Sequence, residues 1–428
     1  MILASVKLIM ELNAMKNLRF SVQEFRHVTR DYQLMLLTLF LMRAGQFMLL
    51  PFLAIYLSRY SNATPILIGI TIGIGPLIYG VAGVNAGIIV DRFGAKNVMV
   101  VSLFISALTI SAFFFVHSIA WCFLMNALTG VTRSFYDIST KSYGVANLSR
   151  DQRRISFSVR FMVVNSAAAI GPIAGAYFAT TNSLVSFQII GILYFILAVY
   201  SFFILQGKEK IPLENLVKKP LNFGLSKEIF LKDSALRILI LINFMVFVVF
   251  SQIDSTLPQY LHAELKNGVK IYALLLIINA FICVSLQLIV SKITKDISEY
   301  AVSCVGMIGF AISYIIMGVF LNEIAMILAM VILTLAEITI IPFNDLILIS
   351  IAHKDRIGTY YGIASVAMLG LGVGPIVGGF LYQYFTAKIL FLLCGVLCLM
   401  TLFLYRKLFK IIELKDKQLS QQIYEVVI

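Results

Sequence analysis

Long apolar runs alternate with short charged segments along the whole chain. Each run is roughly twenty residues, the length a helix needs to cross the hydrocarbon core of a bilayer, and none shows the strict alternation of a half-buried strand. Six runs come first: Leu34 to Leu57, Pro65 to Val90, Asn97 to Val116, Ile119 to Tyr136, Ile155 to Ala179 and Leu184 to Leu205. Six more follow: Ala235 to Leu257, Ile271 to Val290, Ala301 to Leu321, Ile324 to Ile349, Gly358 to Leu381 and Ile389 to Leu404. They are spans 1 to 12 below. The pattern predicts an all-α integral membrane protein of 12 transmembrane helices.

Segments 1–33, 206–234 and 406–428 break this rhythm. The middle one contains "GKEKIPLENLVKKPLNFGLSKE" and reads as a linker between a six-helix bundle over 34–205 and a second over 235–405. Residues 1–33 lack the apolar core and small-residue cleavage site of a secretory leader. They read as an N-terminal arm, within which Met15 is an alternative start, and 406–428 reads as a tail.

Composition narrows the class. Of 428 residues 60% are hydrophobic and 13% charged, against about 25% charged in an ordinary soluble domain. With a mean hydropathy of +0.94, this excludes a soluble helical solenoid, whose helices stay amphipathic. The net charge of +13 would suggest nucleic acid in a soluble protein. Here its distribution speaks for topology. With both termini cytoplasmic, inner segments hold 26 Lys and Arg, outer loops hold 4, and Arg43, Arg133, Arg160 and Arg237 lie within spans, the last at the inner end of span 7. That asymmetry is the positive-inside pattern, and it predicts a multi-pass protein of the inner or plasma membrane with N- and C-termini cytoplasmic. The five cysteines, Cys122, Cys283, Cys304, Cys394 and Cys398, fall in apolar runs without metal-ligand spacing. They are expected to pack, and no metal or cofactor is implied.

The two halves repeat each other. Span 5 carries "AAAIGPIAGAYF" and span 11 "LGLGVGPIVGGFLY", so that Gly171, Pro172 and Gly175 match Gly374, Pro375 and Gly378 at an offset of 203. The basic segments "SRDQRRISF" and "AHKDRIGTYYG" precede them in the same order. Duplication of this kind predicts pseudo-two-fold symmetry.

Between spans 2 and 3 lies "AGIIVDRFGAKN", three charges among apolar flanks. Topology accounts for Arg92 and Lys96. It leaves Asp91 unexplained, because acidic residues do little for orientation. An aspartate at a helix end can instead face the N-terminus of another helix, where free N–H groups favour an anion.

Twelve spans, a central linker and this loop resemble the major facilitator superfamily (MFS) of secondary transporters over residues 34 to 405. Its signature G-x-x-x-D-R-x-G-x-K is met by Gly87, Asp91, Arg92, Gly94 and Lys96. The resemblance implies two rocking six-helix bundles with a gate in which Asp91 faces the start of span 11 near Gly358. Gly87 would allow close approach, Gly94 the tight turn, and Arg92 a pair with Asp137 at the cytoplasmic end of span 4.

Charges at bilayer depth are costly, at least about 2.5 to 3.5 kcal/mol each, so Arg43, Arg133, Asp254 and Glu337 in spans 1, 4, 7 and 10 are candidates for a proton-coupling and substrate cavity. In the superfamily those four spans line the centre. Arg133 plus 204 is Glu337, setting a cation opposite an anion. The expectation is that Glu337 carries the proton, Arg133 or Arg43 is its counter-charge, and Asp254 is a second carboxylate. Static bridges that fix packing are the competing reading. Asp137 and Asp345 are expected nearer the inner surface, and Arg160 to snorkel.

"GPIAGA" of span 5 is similar to a motif of the drug:proton antiporter branch, with Ala176 replacing its last glycine. The span 4 motif R-x-x-Q-G keeps Gly130 but has Asn126 and Thr129 at the basic and amide positions. What the resemblance implies is a monomeric, proton-coupled exporter of small molecules. Import of a peptide, organic acid or siderophore by proton symport is the alternative, and a lipid flippase or a transporter-derived receptor also fits the helices. Neither H-E-x-x-H nor a nucleotide-binding G-x-x-x-x-G-K-[ST] occurs, so no enzyme is expected.

Overall fold

The computed structural model describes residues 29–60, 65–115, 118–148, 150–181, 183–206 and 224–427. The arm to residue 28 and linker residues 207–223 lie outside the described residues, as do the side chains of Pro172 and Gly175.

Apolar runs become helices because lipid offers no partner to a free N–H or C=O, and a helix satisfies them internally. In the first half, span 1 is Arg30–Tyr60, span 2 Pro65–Phe93, span 3 Ala95–Ala112, span 4 Ile119–Asn147, span 5 Arg150–Thr181 and span 6 Ser183–Ile204. In the second, span 7 is Ser234–Ser255, span 8 Gly268–Ile293, span 9 Glu299–Val319, span 10 Glu323–Ile351 and span 12 Ala387–Val427. Span 11 is in two pieces, Ile357–Ala364 and Leu369–Tyr384, joined by a 3₁₀ turn over Ser365–Met368. Two six-helix bundles result. Among the described residues nine helices are long and apolar enough to cross a membrane. The described parts of spans 1, 4 and 5 fall short, and these are the helices that carry Arg43, Arg133, Asp137 and Arg160.

Local chemistry sets the ends. Ser118, Asp233, Ser298 and Asn322 cap spans 4, 7, 9 and 10, each accepting from a backbone N–H of the first turn. Spans 2 and 3 are separated by Gly94 alone, which holds φ 84°. That left-handed conformation is strained for any side chain.

Four boundaries differ from the apolar pattern. Span 4 runs on to Asn147, so Asp137 and Lys141 sit inside a helix rather than at its mouth. Span 3 ends at Ala112 and Phe113–Phe115 form a turn. A short helix, Gly224–Lys232, occupies the end of the linker segment. Span 12 continues unbroken through the tail, because no glycine or proline interrupts residues 406–427.

Helix packing repeats between halves. A Cβ at Gly171 of span 5 would meet the Ala44 carbonyl of span 1, and one at Gly374 of span 11 would meet the Val248 carbonyl of span 7. Those positions are 203 and 204 apart. Gly378 likewise presses on Gln252 of span 7. Spans 2 and 4 touch where Gly130 abuts the Gly75 carbonyl; 204 residues on, the Asn279 amide donates to Thr334 Oγ1 at 3.1 Å. Large apolar side chains such as Phe203, Phe281, Ile376 and Phe403 face outward, at least 70% exposed, as lipid-facing surface requires.

Candidate functional site

Spans 1, 2, 4 and 5 converge on one buried carboxylate. Arg43 Nη2 lies 2.5 Å from Asp137 Oδ2, and the Tyr79 hydroxyl donates to the same oxygen at 3.0 Å. Arg160 Nη2 is 3.7 Å from Oδ1, while Arg133 Nε is 4.0 Å from Oδ2. Arg43 also donates to Gln46 at 2.7 Å. Arg160 donates to the Thr140 hydroxyl at 3.1 Å, and the Arg133 guanidinium lies 5.3 Å from the Tyr79 ring centroid. Removing one partner from such a buried set costs about 3–5 kcal/mol, so the cluster ties spans 1, 4 and 5 into one body.

The second bundle holds the opposite sign. Glu337 of span 10 is 3% exposed and accepts from the Asn279 amide of span 8 at 2.8 Å. It makes no ion pair with any described residue. Asp254 of span 7 is exposed and likewise unpaired among the described residues. Next along span 10, the Asn344 amide donates to Asn243 at 2.6 Å and accepts from the Tyr405 hydroxyl at 2.7 Å.

At the end carrying the "DRFGAK" loop, the two bundles are joined. Asp91 accepts from the Gly358 N–H at 2.7 Å, and from the Thr359 N–H and hydroxyl at 2.6 Å each. A carboxylate therefore caps the first turn of span 11, where orphan donors and the helix dipole favour it. The approach is close because both sides lack side chains: a Cβ at Gly87 would collide with the Gly358 carbonyl, and one at Gly362 with that of Gly83. Nearby, the Ser365 hydroxyl reaches the Gly80 carbonyl at 3.2 Å. Lys141 of span 4 pairs with Asp345 of span 10 at 2.7 Å, and Arg154 of span 5 donates to the Thr294 carbonyl after span 8 at 2.9 Å.

A polar cavity of about 100 Å³ lies behind this closure. Tyr79, Asp137 and Lys141 line it from one bundle and Asn243, Asn344, Asp345 and Tyr361 from the other.

Three sequence expectations are corrected. Asp137 pairs with Arg43, Arg133 and Arg160 rather than with Arg92, because the longer span 4 carries it into the bundle core. The partner of Arg43 and Arg133 is accordingly Asp137 of their own bundle, not Glu337 across the seam. Arg160 joins the same cluster, its side chain 10% exposed, instead of snorkelling. Tyr79, Lys141, Arg154 and Thr359 were not singled out by the sequence. For Lys141 a signal exists: adding the repeat offset of 204 gives Asp345. Tyr79 is one of 19 tyrosines and carries none.

The comparisons with known proteins agree with this geometry. The family model described as Major Facilitator Superfamily matches residues 35–372. The uncharacterized MFS-type transporter YqjV of Bacillus subtilis is 27% identical over 350 residues, 81% of this chain and 84% of that one. Multidrug resistance protein MdtH of Klebsiella pneumoniae is 26% identical over 133 residues, 31% of this chain and 33% of its own. Among solved structures, the human organic anion transporter MFSD10 superposes with a TM-score of 0.73 at 18% identity, covering 88% of this chain and 99% of that one. A duplicated twelve-span bundle joined at the "DRFGAK" loop, matched by that family model over most of its length, belongs to the Major Facilitator Superfamily of membrane transporters.

Proposed function

We propose that the chain is a proton-coupled secondary transporter that exports amphipathic small molecules across the inner or plasma membrane, working as a monomer with both termini in the cytoplasm. The observation that carries the reading is the setting of Glu337, a carboxyl held between spans 8 and 10 by an amide and by no cation among the described residues. The Asn279 side chain donates to a carboxylate, and its carbonyl accepts from a protonated carboxyl, so either state has a partner. Glu337 can load and release a proton without breaking an ion pair, whereas Asp137 would have to give up three.

The "DRFGAK" end supplies the gate. Asp91, Lys141 and Arg154 bridge the bundles there, and parting them lets the halves rock about the seam. Export is the favoured direction because MdtH carries the name of a multidrug resistance protein and the Gly171-Pro172 motif resembles that of drug:proton antiporters. Proton-driven import is the second reading, favoured by the arginine cluster, which suits an anionic metabolite.

Everted membrane vesicles with a trapped pH dye test the reading. A compound that dissipates the respiratory gradient in everted vesicles is exported, and one that does so only in right-side-out vesicles is imported. Failure of every compound in both orientations would remove the coupling.

A further inference from the structure

Three guanidinium groups surround one carboxylate in the first bundle, leaving two positive charges without a buried anion among the described residues. Arg43 and Arg160 are anchored, the first by Asp137 and Gln46 and the second by Thr140. Arg133 is not. Its Nε stands 4.0 Å from Asp137, and its guanidinium makes no hydrogen bond to a described residue, Nε itself being buried without a partner. Its side chain keeps 24% exposure, against 7% for Arg43 and 10% for Arg160, and is the most accessible of the three.

Arg133 borders a cavity of about 70 Å³. Gln46, Asn126 and Thr129 make its polar wall, and Phe113 and Phe187, whose rings stack at 5.2 Å, make an apolar one. Surplus positive charge in a low-dielectric site calls for an anion. A guanidinium offers parallel N–H donors that match a carboxylate.

Resting on the transport reading above, we propose that the cargo carries a carboxylate-type negative head and that Arg133 docks it, with the Phe113 and Phe187 wall receiving the adjoining apolar part. An anion leaving as a proton enters moves charge twice in the same sense. Membrane potential then drives the cycle together with the pH gradient.

The test uses the full-length protein in proteoliposomes and charge-matched probes: 2-naphthoate, 2-naphthamide and 2-naphthylmethylammonium, with the same triad built on benzyl and decyl bodies. The carboxylate of each transported set is expected to drive the largest proton flux, and a potassium diffusion potential to raise it. In Arg133→Gln the ratio of carboxylate to amide flux should fall about tenfold, with Arg133→Lys intermediate; should the Gln variant fail to fold by its melting curve, the Lys variant carries the comparison. Preference of the wild type for amide or ammonium, or an unchanged ratio in both variants, overturns the anion assignment while the proton flux upholds transport. No flux with any probe defeats the transport reading and the anion assignment with it. Melting in sodium chloride against sodium isethionate, which has no carboxylate, adds a further arm: stabilisation by chloride that requires Arg133, with no carboxylate flux, means a resident inorganic ion and overturns the cargo assignment.

Discussion

Lys141 and Asp345 stand 204 positions apart and bond to each other at 2.7 Å. The same offset relates Arg133 to Glu337 and Gly75 to Asn279, so Lys141 and Asp345 are equivalent positions of the two halves. Equivalent positions can touch only beside the pseudo-two-fold axis. Two contacts flank this pair symmetrically: Asp91 with Gly358, and Thr294 with Arg154, for 91 plus 203 is 294 and 154 plus 204 is 358. Duplication has kept the three places of contact and changed the chemistry in each.

The axial pair is partly solvated, with side chains 25% and 19% exposed, and is worth about 0.5–1 kcal/mol. Lys141→Ala should therefore raise the population open at this end by about two- to fivefold. Labelling rates of a cysteine placed at Asn243, which lines the cavity behind the pair, report it. The swap Lys141→Asp with Asp345→Lys should restore the wild-type rate, and a swap no better than either single change would show that the charges are not acting on each other.

Asp91 makes three charge-assisted bonds to the start of span 11, and hydrogen bonds to a charged group contribute about 1.5–3 kcal/mol. Asp91→Asn keeps the shape and loses the charge. We expect closure at this end to weaken about tenfold or more, with transport falling accordingly. Gly87→Ala should act in the same direction by sterics, because the added methyl meets the Gly358 backbone, which has no rotamer through which to yield. The same cavity-labelling assay checks both, and an unaltered rate in Asp91→Asn would rule out its gating role.

Span count, the two-bundle plan and the "DRFGAK" loop were legible because each depends on a pattern that one strand of sequence displays: apolar run length, charge asymmetry and an offset of 203. Pairing was not legible. Which carboxylate meets Arg43 depends on how far span 4 extends, and an apolar window stops at Tyr136 because Asp137 and Lys141 lower its hydropathy. The charges that fix the cluster are the same ones that concealed the end of the helix. For Asp345 the sequence places the residue near the inner surface, as part of the gate or simply solvated, and leaves its partner unread because Lys141 lies in the other half of the chain.

Asp233 shows how the tail is fixed. It caps span 7 through the Ala235 and Leu236 N–H groups at 3.0 and 3.2 Å, accepts from the Tyr360 hydroxyl at 3.0 Å, and pairs with Lys415 of the span 12 extension at 2.9 Å. Burial raises its carboxyl, but Lys415, the Leu236 N–H and Tyr360 together bring it below the ordinary value of 3.8. A depressed folded-state value means stability that is complete above that ordinary value and is lost as pH falls through the lower one. Asp233→Ala should cost about 1 kcal/mol from the cap alone. The difference in melting temperature between wild type and variant should hold from neutral pH to about pH 4 and shrink below it. A difference that is constant into stronger acid would mean that the charge of Asp233 contributes nothing.

Glu337 separates coupling from passage. Glu337→Gln retains the size of the side chain and an acceptor for Asn279, so the contact between spans 8 and 10 survives. An amide cannot exchange a proton with the seam. Proton-driven accumulation should then fall to the passive level, while exchange of labelled for unlabelled cargo at equal concentrations, which needs no net proton movement, continues at a rate within about threefold of wild type, a change in barrier below 1 kcal/mol. Loss of both activities would make Glu337 a packing residue, since exchange depends only on the rocking of the bundles. Retention of both would place the proton elsewhere, and Asp254, exposed on span 7 and unpaired among the described residues, is then the carboxyl to change next.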